Sequence, residues 1–403
     1  MSEILLINVS GPDRPGLTAS LTRILARYEV HVLDIGQAVI HNALSLGMLV
    51  EIPEAAEPAP VLKDLVFCAH ELGVDLNFQP VSSDDYQQWV QHQEKARFII
   101  TLLGRQIQAG HIAQITSIIS EAGLSIHDIT RLSWRMPLQH ESRTRRACIE
   151  LRVHGDPPNR TALRAELMAA ATQLGIDIGF QEDSLFRRSR RLVAFDMDST
   201  LIQQEVIDEL AAAAGVGEDV AAITARAMRG EIEFKESLAQ RLQLLRGLDE
   251  STLEAVCQRL VLTEGAERLV QNLKKMGYKI AVISGGFTYF GEYLKRRLGL
   301  DFVYANELHI VDGKITGQVV GPVVDGPRKA ELLCEIARRE GIRMEQVIAV
   351  GDGANDLPML NSAGLGIAFH AKPVVREGAG QAISTLGLDG VLYLMGIPDR
   401  ETD

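Results

Sequence analysis

The sequence predicts an α/β protein in which two copies of a small βαββαβ unit precede a parallel β-sheet with helices on both faces. Three observations favour this fold. The first half of the chain contains an internal repeat, short apolar runs alternate with helical segments after residue 192, and a long, almost strand-free segment interrupts that alternation. At 403 residues the chain also exceeds the size at which one hydrophobic core usually stops growing, so several domains are expected.

The first repeat begins with an apolar strand, a Pro-Gly-rich turn and a segment whose apolar residues follow helical spacing. Two further strands, a second helix and a last strand complete it. The six elements are predicted near residues 4–9, 17–25, 30–40, 44–52, 61–72 and 74–78.

The second repeat follows the polar stretch 82–95. Its elements are predicted near residues 98–103, 112–119, 131–134, 147–153, 162–174 and 176–180. Gly16 and Gly110 both open a helix, and the same spacing separates Asp34-Ile35 from Asp128-Ile129. A duplication explains this match better than coincidence.

The loop Gly11-Pro12-Asp13-Arg14-Pro15-Gly16, with the order βαββαβ, resembles the ACT domain, a ferredoxin-like amino-acid-sensing module. The second repeat keeps the glycines of this loop, Gly104 and Gly110, but not the Asp-Arg-Pro core. The resemblance implies that a small amino acid binds near Gly11 and Gly104, in equivalent strand-to-helix loops. A tight turn that feeds a helix explains Pro15 and Gly16 without any ligand.

Charge and hydropathy limit the classes of partner. With 41 basic and 53 acidic residues the net charge is −12, which disfavours nucleic acid and anionic membranes as partners. The basic run 187–191 is therefore expected to be a solvated linker. No apolar stretch approaches the roughly 18 residues of a membrane span, and the start lacks the features of a secretory signal, so a cytoplasmic location is expected.

The cysteines favour neither zinc nor disulfides. All four are scattered without a close pair, and we expect reduced residues buried in the core. They are Cys68, Cys148, Cys257 and Cys334.

The second half of the chain predicts short buried strands near residues 192–195, 280–283, 347–350 and 365–368. Residues 204–260 are far too many for an ordinary crossover between the first two strands, and we interpret them as an inserted helical cap over the site. The predicted domains are 1–82, 96–183 and 192–403, with the cap at about 204–262.

Acidic residues follow two of these strands directly. Asp196 and Asp198 come after the strand 192–195, at the carboxyl end of a parallel strand, where open α/β sheets build their sites. Two carboxylates at this spacing repel each other unless a cation holds them, and oxygen ligands suit Mg²⁺. Asp352 and Asp356, in Gly351-Asp352-Gly353-Ala354-Asn355-Asp356, follow the strand 347–350 in the same way, although such a cluster alone is more often a plain turn.

Two further parts of the sequence offer groups that can bind phosphate. Ser284-Gly285-Gly286 offers a hydroxyl and backbone amides that no side chain shields. Lys329 can supply the cation that a phosphate site needs, although a solvated surface lysine has the same sequence appearance.

Four elements thus occur in order along the chain: Asp196 with Asp198, Ser284-Gly285-Gly286, Lys329, and the acidic loop 351–356. In this order they resemble the haloacid dehalogenase superfamily of phosphatases, which has a Rossmann-like parallel sheet. The resemblance implies that Asp196 is the nucleophile and Asp198 the general acid and base. It further implies Mg²⁺ on Asp196, Asp198 (through its backbone carbonyl) and Asp352, with Asp356 supporting the metal ligands. The implied phosphate ligands are Ser284, Gly285, Lys329 and Asn355.

The cap resembles that of the phosphoserine phosphatase family within this superfamily. By this resemblance Glu205 accepts the substrate ammonium, Arg241 binds its carboxylate, and Met228 and Phe234 cover it from water. The implied reaction is hydrolysis of O-phospho-L-serine to L-serine and phosphate, the final step of serine biosynthesis. A homodimer is also expected, with serine as the amino acid that the ACT-like repeats bind.

Other functions agree with the same residues. The chain could transfer the phosphoryl group to homoserine, or hydrolyse another small phosphomonoester. An amino-acid-sensing regulatory protein is the alternative outside enzymology, but it would not need intact Asp196, Asp198, Lys329 and Asp352. His370 is interpreted as a packing or surface residue, because an aspartate mechanism needs no histidine base.

Overall fold

The computed structural model describes residues 3–402 except 55, 57, 92–95, 136 and 138–144, and leaves the side chain of Met228 undescribed. The chain forms two compact units, Met1–Lys95 and Ala96–Asp403. The predicted domain limits remain predictions. Among the helices of the described residues, none has the length and apolar character needed to cross a lipid bilayer.

The first unit contains the first repeat, an antiparallel sheet in the order β2-β3-β1-β4 with two helices on one face. Its elements are β1 (Glu3–Pro12), α1 (Leu17–Arg27), β2 (His31–Ile40), β3 (Ala43–Ile52), α2 (Pro58–Leu72) and β4 (Asp75–Val81). The alternation along β1 buries Leu5, Ile7 and Val9 against the helices and turns the residues between them to the opposite face.

Helix α3 (Ser83–Gln91) occupies the polar stretch for which the sequence predicted no element. The Ser82 hydroxyl accepts a hydrogen bond from the Asp85 N–H at 3.0 Å, the usual N-cap contact. Asp84 and Asp85 also lie in the first turn, where negative charge favours the helix dipole. Capping rather than apolar periodicity thus stabilises this helix.

The second repeat has the same topology, with strand order β6-β7-β5-β8. Its elements are β5 (Arg97–Gly104), α4 (Ala109–Glu121), β6 (Ser125–Arg131), β7 (Ala147–His154), α5 (Arg160–Leu174) and β8 (Asp177–Glu182). The second strand of each repeat has its register shift at the same place, between Val32 and Asp34 and between Ile126 and Asp128. This shared irregularity confirms the predicted duplication.

One predicted strand of the second repeat is wrong. Residues 131–134 do not form it, because the strand spans Ser125–Arg131 and only the Leu132 N–H beyond it still donates to β7, at the Cys148 carbonyl 3.0 Å away. The Leu132 carbonyl accepts from the Asp399 N–H at 2.8 Å, and the Trp134 N–H donates to the Asp399 carboxylate at 2.7 Å. Apolar residues beyond Arg131 thus bind the chain terminus instead of extending β6.

The carboxyl-terminal sheet has seven strands in the order β12-β11-β10-β9-β13-β14-β15. The strands are β9 (Leu192–Phe195), β10 (Lys279–Phe287), β11 (Phe302–Val311), β12 (Lys314–Val320), β13 (Val347–Gly351), β14 (Leu365–Phe369) and β15 (Gln381–Ile383). β9 lies between β10 and β13 and is parallel to both. The sheet is mixed rather than purely parallel, because Asp312 and Gly313, at φ 49° and 72°, form a tight turn that returns β12 antiparallel to β11.

Both faces of this sheet are buried. Along β9, Val193 and Phe195 belong to one core cluster and Leu192 and Ala194 to another. Such a strand reads as a continuous apolar run, which is why the sequence located it correctly. The remaining helices of this core are α11 (Ala266–Lys275), α12 (Thr288–Leu298), α13 (Gly326–Arg339), α14 (Leu357–Ser362), α15 (Pro373–Gly378) and α16 (Gly390–Leu394).

The predicted cap consists of α7 (Val206–Ala214), α8 (Gly217–Met228), α9 (Phe234–Leu244) and α10 (Ser251–Cys257). Its two connections to the core run side by side, with Ile202 bridged to Leu262. The Gln203 N–H donates to the Val261 carbonyl at 2.9 Å, and the Thr263 N–H to the Leu201 carbonyl at 3.1 Å. The cap therefore rejoins the core close to the point where it leaves.

The basic run is not a solvated linker, and this expectation was wrong. Its first two residues, Arg187 and Arg188, end helix α6 (Leu185–Arg188). The side chains of Arg187 and Glu150 form an ion pair at 2.6 Å, and only 3% and 2% of their areas are exposed. Arg190 is buried as well, at 7%. Arg187 and Arg190 thus bind polar side chains on the sheet of the second repeat, Glu150 and Gln181.

The second repeat also contacts the connection through which the cap returns. Arg105, in the loop between β5 and α4, donates two hydrogen bonds to the Glu264 carboxylate at 2.8 and 2.7 Å. Arg146 and Arg268 both pair with the buried Asp389. The repeat is thus attached beside the base of the cap.

Cys148 and Cys257 are buried, as expected of packing residues. The expectation was wrong for Cys68 and Cys334, which are only partly buried because each lies at the edge of its helix's apolar face.

We predict that Arg187→Met lowers the free energy of unfolding by about 3 kcal/mol, because the buried Glu150 carboxylate loses its shorter ion pair and keeps only Arg152, at 3.4 Å. Urea denaturation of the full chain measures this. Arg188→Met, an exposed neighbour in the same helix, is the control and changes stability by less than about 0.5 kcal/mol. Equal losses in the two variants would contradict the importance of the buried pair.

Candidate active site

Asp196 lies at the carboxyl end of β9 and is 7% exposed. Its N–H donates to the Val350 carbonyl at 2.9 Å and so continues the pairing of β9 with β13. The chain then turns sharply through Met197–Leu201, with Ser199 in the left-handed region at φ 55°. The Met197 N–H donates to Asp196 Oδ1 at 2.7 Å, which fixes the carboxylate at the start of this turn.

Three carboxylates meet at the strand ends. Oxygens of Asp196, Asp352 and Asp356 all lie within 4.8 Å of one another. Burial raises the pKa of Asp352 to about 7, and the charges of Asp196 and Asp356 add to the rise. Burial and then Asp196 raise the pKa of Asp356 to about 6, against the opposing effect of Lys329. A hard divalent cation bound to these oxygens would relieve the repulsion, so the residues fit a metal of the Mg²⁺ type.

Lys329 is fully buried beside this cluster. Its Nζ lies 2.7 Å from Asp196 Oδ2 and 2.6 Å from Asp356 Oδ1. Burial lowers the pKa of this lysine, but the two carboxylates outweigh burial and raise it overall. The residue is one turn into α13, whose first turn is capped by the Asp325 carboxylate. Lys329 is therefore a fixed internal cation and not the surface lysine that the sequence also allowed.

Asp198 lies outside the carboxylate cluster, and its Oδ1 accepts from the Val206 N–H at 3.3 Å. Burial raises the pKa of Asp198 well above its usual range, and Glu205 and Asp196 add to the rise. A raised pKa favours the protonated carboxyl group, which is the form that a general acid needs. The two aspartates of the motif therefore have different environments, as different roles require.

The predicted phosphate loop lies beside the same turn. Ser284 is 1% exposed, and its Oγ accepts from the Gly286 N–H at 2.9 Å. A Cβ atom at Gly286 would lie only 2.6 Å from Asp198 Oδ2, so glycine is required for this close approach. The backbone of Asn355 lies against the start of α13, because a Cβ atom at Gly326 would be only 2.8 Å from the Asn355 carbonyl oxygen.

Three predicted cap residues reach this region. The Phe234 ring lies over Gly285, where a Cβ would be 3.0 Å from Phe234 Cζ. The Ser199 hydroxyl donates to Glu205 Oε1 at 2.7 Å. Burial lowers the pKa of Arg241, and the charges of Asp208, Glu205 and Asp198 oppose this. The Arg241 Nε–H donates to the Ser237 carbonyl of its own helix at 3.3 Å. The side chain of Met228 lies outside the described part of the chain.

Gly11 and Gly104 have a packing reason to be glycine. A Cβ at Gly11 would lie 2.7 Å from Val74 Cγ1, and one at Gly104 would lie 3.1 Å from Ile176 Cγ2. Each glycine is thus close to an apolar side chain of its own repeat. Amino-acid binding near them stays a prediction.

Sequence reasoning missed three supporting residues. The Thr200 hydroxyl donates to Asp352 Oδ1 at 2.9 Å, and Lys235 pairs with Asp325 at 2.9 Å, which joins α9 of the cap to the start of α13. Asn306, 2% exposed, donates to the Gly285 carbonyl at 2.7 Å and accepts from the Val324 N–H at 2.9 Å. Its position in an apolar strand was a usable signal, because a buried amide needs partners.

His370 Nε2 donates to the Leu386 carbonyl at 2.9 Å, and the imidazole ring lies edge-on to Phe369. These contacts are those of a packing residue.

We predict that Asn306→Leu lowers the free energy of unfolding by about 2 kcal/mol or more and loosens the Ser284–Gly286 loop, because the Gly285 carbonyl and the Val324 N–H lose their partner. Urea denaturation and phosphate release from a phosphomonoester measure the two effects. Asn306→Asp keeps the acceptor for Val324 and is expected to be less damaging. A leucine variant as stable and active as the original would refute this role.

Known proteins resemble the chain over both halves. The ACT domain family matches residues 3–79, and the haloacid dehalogenase-like hydrolase family matches residues 190–364. A phosphoserine phosphatase from Streptomyces coelicolor is 43% identical over 401 residues, covering 99% of this chain and 93% of that protein. One from Mycobacterium tuberculosis is 41% identical over 400 residues, covering 99% and 94%.

Two solved structures share the fold. A haloacid dehalogenase family hydrolase from Salmonella enterica serovar Typhi is 32% identical, with a TM-score of 0.63, over 74% of this chain and 98% of that chain. A probable phosphoserine phosphatase from Vibrio cholerae is 33% identical, with a TM-score of 0.58, over 77% and 89%. The chain therefore belongs to the phosphoserine phosphatase family of the haloacid dehalogenase-like hydrolases.

Proposed function

We propose that the chain hydrolyses O-phospho-L-serine to L-serine and phosphate through an aspartyl-phosphate on Asp196, with Mg²⁺ as its metal. The observation that carries this proposal is the position of Asp196. Its carboxylate is at once a member of the strand-end acidic cluster and the partner of the buried Lys329. A nucleophile that must approach an anionic phosphate needs positive charge of this kind beside it.

In the first step an oxygen of Asp196 attacks phosphorus. The bond between phosphorus and the seryl oxygen breaks, and its electron pair stays on the seryl oxygen. Asp198 donates the proton that this oxygen needs, so serine leaves as a neutral alcohol. The Met197 N–H and Lys329 hold the two Asp196 oxygens and orient the carboxylate for the attack.

In the second step Asp198, now ionised, accepts a proton from water, and the water oxygen attacks the aspartyl-phosphate. The bond between phosphorus and Asp196 breaks, which releases phosphate and regenerates the carboxylate. Splitting hydrolysis in this way replaces one difficult displacement by two easier ones. The Ser284 hydroxyl, the Gly285 N–H, Lys329 and Asn355 hold the phosphoryl oxygens in both steps.

Mg²⁺ would be held by the carboxylates of Asp196 and Asp352 and the backbone carbonyl of Asp198, with Asp356 supporting them. When bound, it supplies Lewis-acid neutralisation of the negative charge on the transferred phosphoryl group. Thr200 orients Asp352 through its hydroxyl.

The cap selects a zwitterion. Glu205 accepts the ammonium group, and Arg241 binds the carboxylate with two parallel N–H donors. Phe234 covers the phosphate loop, and Met228 completes the cover. The two charges on the cap match the two charges that phosphoserine carries besides its phosphate.

For the ACT half we infer amino-acid binding, with the product serine as ligand, and a homodimeric assembly in the cytoplasm. The ACT family match supports the binding.

We predict that Asp196→Asn abolishes phosphate release from phosphoserine and leaves the melting temperature within a few degrees, because the amide keeps the volume and loses nucleophilicity. Asp312→Asn, in the exposed turn between β11 and β12, is the matched control and keeps full activity. Chelation of divalent metal is expected to stop the unmodified enzyme. Turnover by the Asp196 variant near the original rate would refute the mechanism.

We predict that Arg241→Lys lowers kcat/KM for phosphoserine at least about tenfold more than for phosphoethanolamine, because lysine keeps the charge and loses the forked contact to a carboxylate that only phosphoserine has. Steady-state kinetics on the two substrates measure the difference. Equal losses would mean that Arg241 only stabilises the cap.

A further inference from the structure

A cavity of about 420 Å³ lies on the outer face of the first repeat, the face of its sheet opposite α1 and α2. Leu6 of β1, Leu49 of β3 and Asp34 of β2 form one cross-strand row of its floor. Tyr86 and Trp89 of α3 form its wall, with ring centres 6.1 Å apart. Its volume is within the range of about 300–1,000 Å³ that is usual for small-molecule sites.

Two glycines leave the floor open. Gly36 and Gly47 face each other in register on β2 and β3. A Cβ atom at Gly36 would contact nothing within 4 Å, and one at Gly47 would contact only Asn8 Oδ1, at 3.7 Å. Neither glycine is among those with a left-handed φ, so the backbone does not require glycine at these positions. Their effect is to create space.

The second repeat fills the equivalent position. There the register places Thr130 opposite Glu150, and Glu150 is buried in its ion pair with Arg187. Other contacts cover the same sheet, such as the two hydrogen bonds between the Gln381 amide and the backbone of Phe180. The outer face of the sheet is thus covered by other parts of the protein in the second repeat. In the other repeat Ile35 and Trp89 remain 49% and 40% exposed.

The lining has negative charge and aromatic rings. Asp34 and Asp85 contribute carboxylates, of which Asp85 Oδ2 also accepts from the Ser82 hydroxyl at 2.6 Å. Among the described residues that line the cavity there is no lysine, arginine or histidine. Asp34 Oδ1 accepts a hydrogen bond from the adjacent Ile35 N–H, and no ion pair to Asp34 occurs within the described part of the chain. Carboxylates and the faces of tryptophan and tyrosine both attract cations. An amino-acid zwitterion would leave its own carboxylate without a partner here.

We propose that this cavity is a binding site for a small organic cation, an amine carried on an apolar or aromatic body. The amine pairs with Asp34 and Asp85, the body lies over Gly36 and Gly47, and the rings of α3 cover it. This ligand class differs from both phosphoserine and serine. The site therefore adds a second specificity to the chain.

The test uses the full chain with Trp134→Phe, so that Trp89 is the remaining tryptophan, and titrates phenethylamine while recording tryptophan fluorescence. A saturable change with Kd below about 1 mM is expected. The anion 3-phenylpropionate, similar in size, is expected to cause none. Asp34→Asn is expected to raise Kd at least about tenfold, whereas Asp128→Asn, the same change in the second repeat, leaves it unaltered.

Gly36→Leu fills the cavity without a clash and is expected to abolish binding with an unchanged melting temperature. Equal binding of amine and anion, or binding that survives this substitution, would overturn the proposal. Sedimentation velocity gives the other contrary outcome: if Gly36→Leu converts a dimer to a monomer, the face is a subunit interface. None of these residues belongs to the phosphatase site, so the result does not depend on the proposed reaction.

Discussion

The buried cation of Lys329 is the constraint on which the site depends. The buried ammonium of Lys329 is neutralised by the carboxylates of Asp196 and Asp356, which both contact its Nζ. These three residues come from the end of β9, from α13 and from the loop after β13, so one charge cluster joins three separate elements. The parallel pairing of β9 with β10 and β13 brings those elements to one edge of the sheet. Charge and topology thus fix the position of the nucleophile together.

Specific contacts attach the cap to the core around this centre. The cap is connected to the core by two neighbouring segments, which are bridged at Ile202 and Leu262. Lys235 of the cap helix α9 also pairs with Asp325, the N-cap residue of α13 in the core. Behind the return connection, Arg105 of the second repeat binds Glu264. This pair joins the loop between β5 and α4 to the connection at the base of the cap.

The sequence located the parts of the site that follow strong local rules. Asp196 and Asp352 stand after continuous apolar runs, which only buried parallel strands produce, and the repeat was visible in matched glycines and aspartates. Prediction from the sequence failed where contacts between distant residues determine the structure. Arg187 looks like a solvated charge until Glu150, far away in sequence, is placed opposite it. The capped helix α3 lacks apolar periodicity, and Trp134 belongs to no strand because Asp399 binds its backbone. The pairing of Thr200 with Asp352 likewise needs the fold.

The central claim is that Asp196 carries the phosphoryl group. Rapid acid quench of the enzyme during turnover of phosphoserine, followed by borohydride reduction and peptide mass spectrometry, tests it most directly. Reduction of an aspartyl-phosphate converts the aspartate to homoserine, so homoserine is expected at position 196, dependent on substrate and present at no other aspartate. Phosphorylation of a different residue, or full turnover with position 196 unmodified at every quench time, would contradict it.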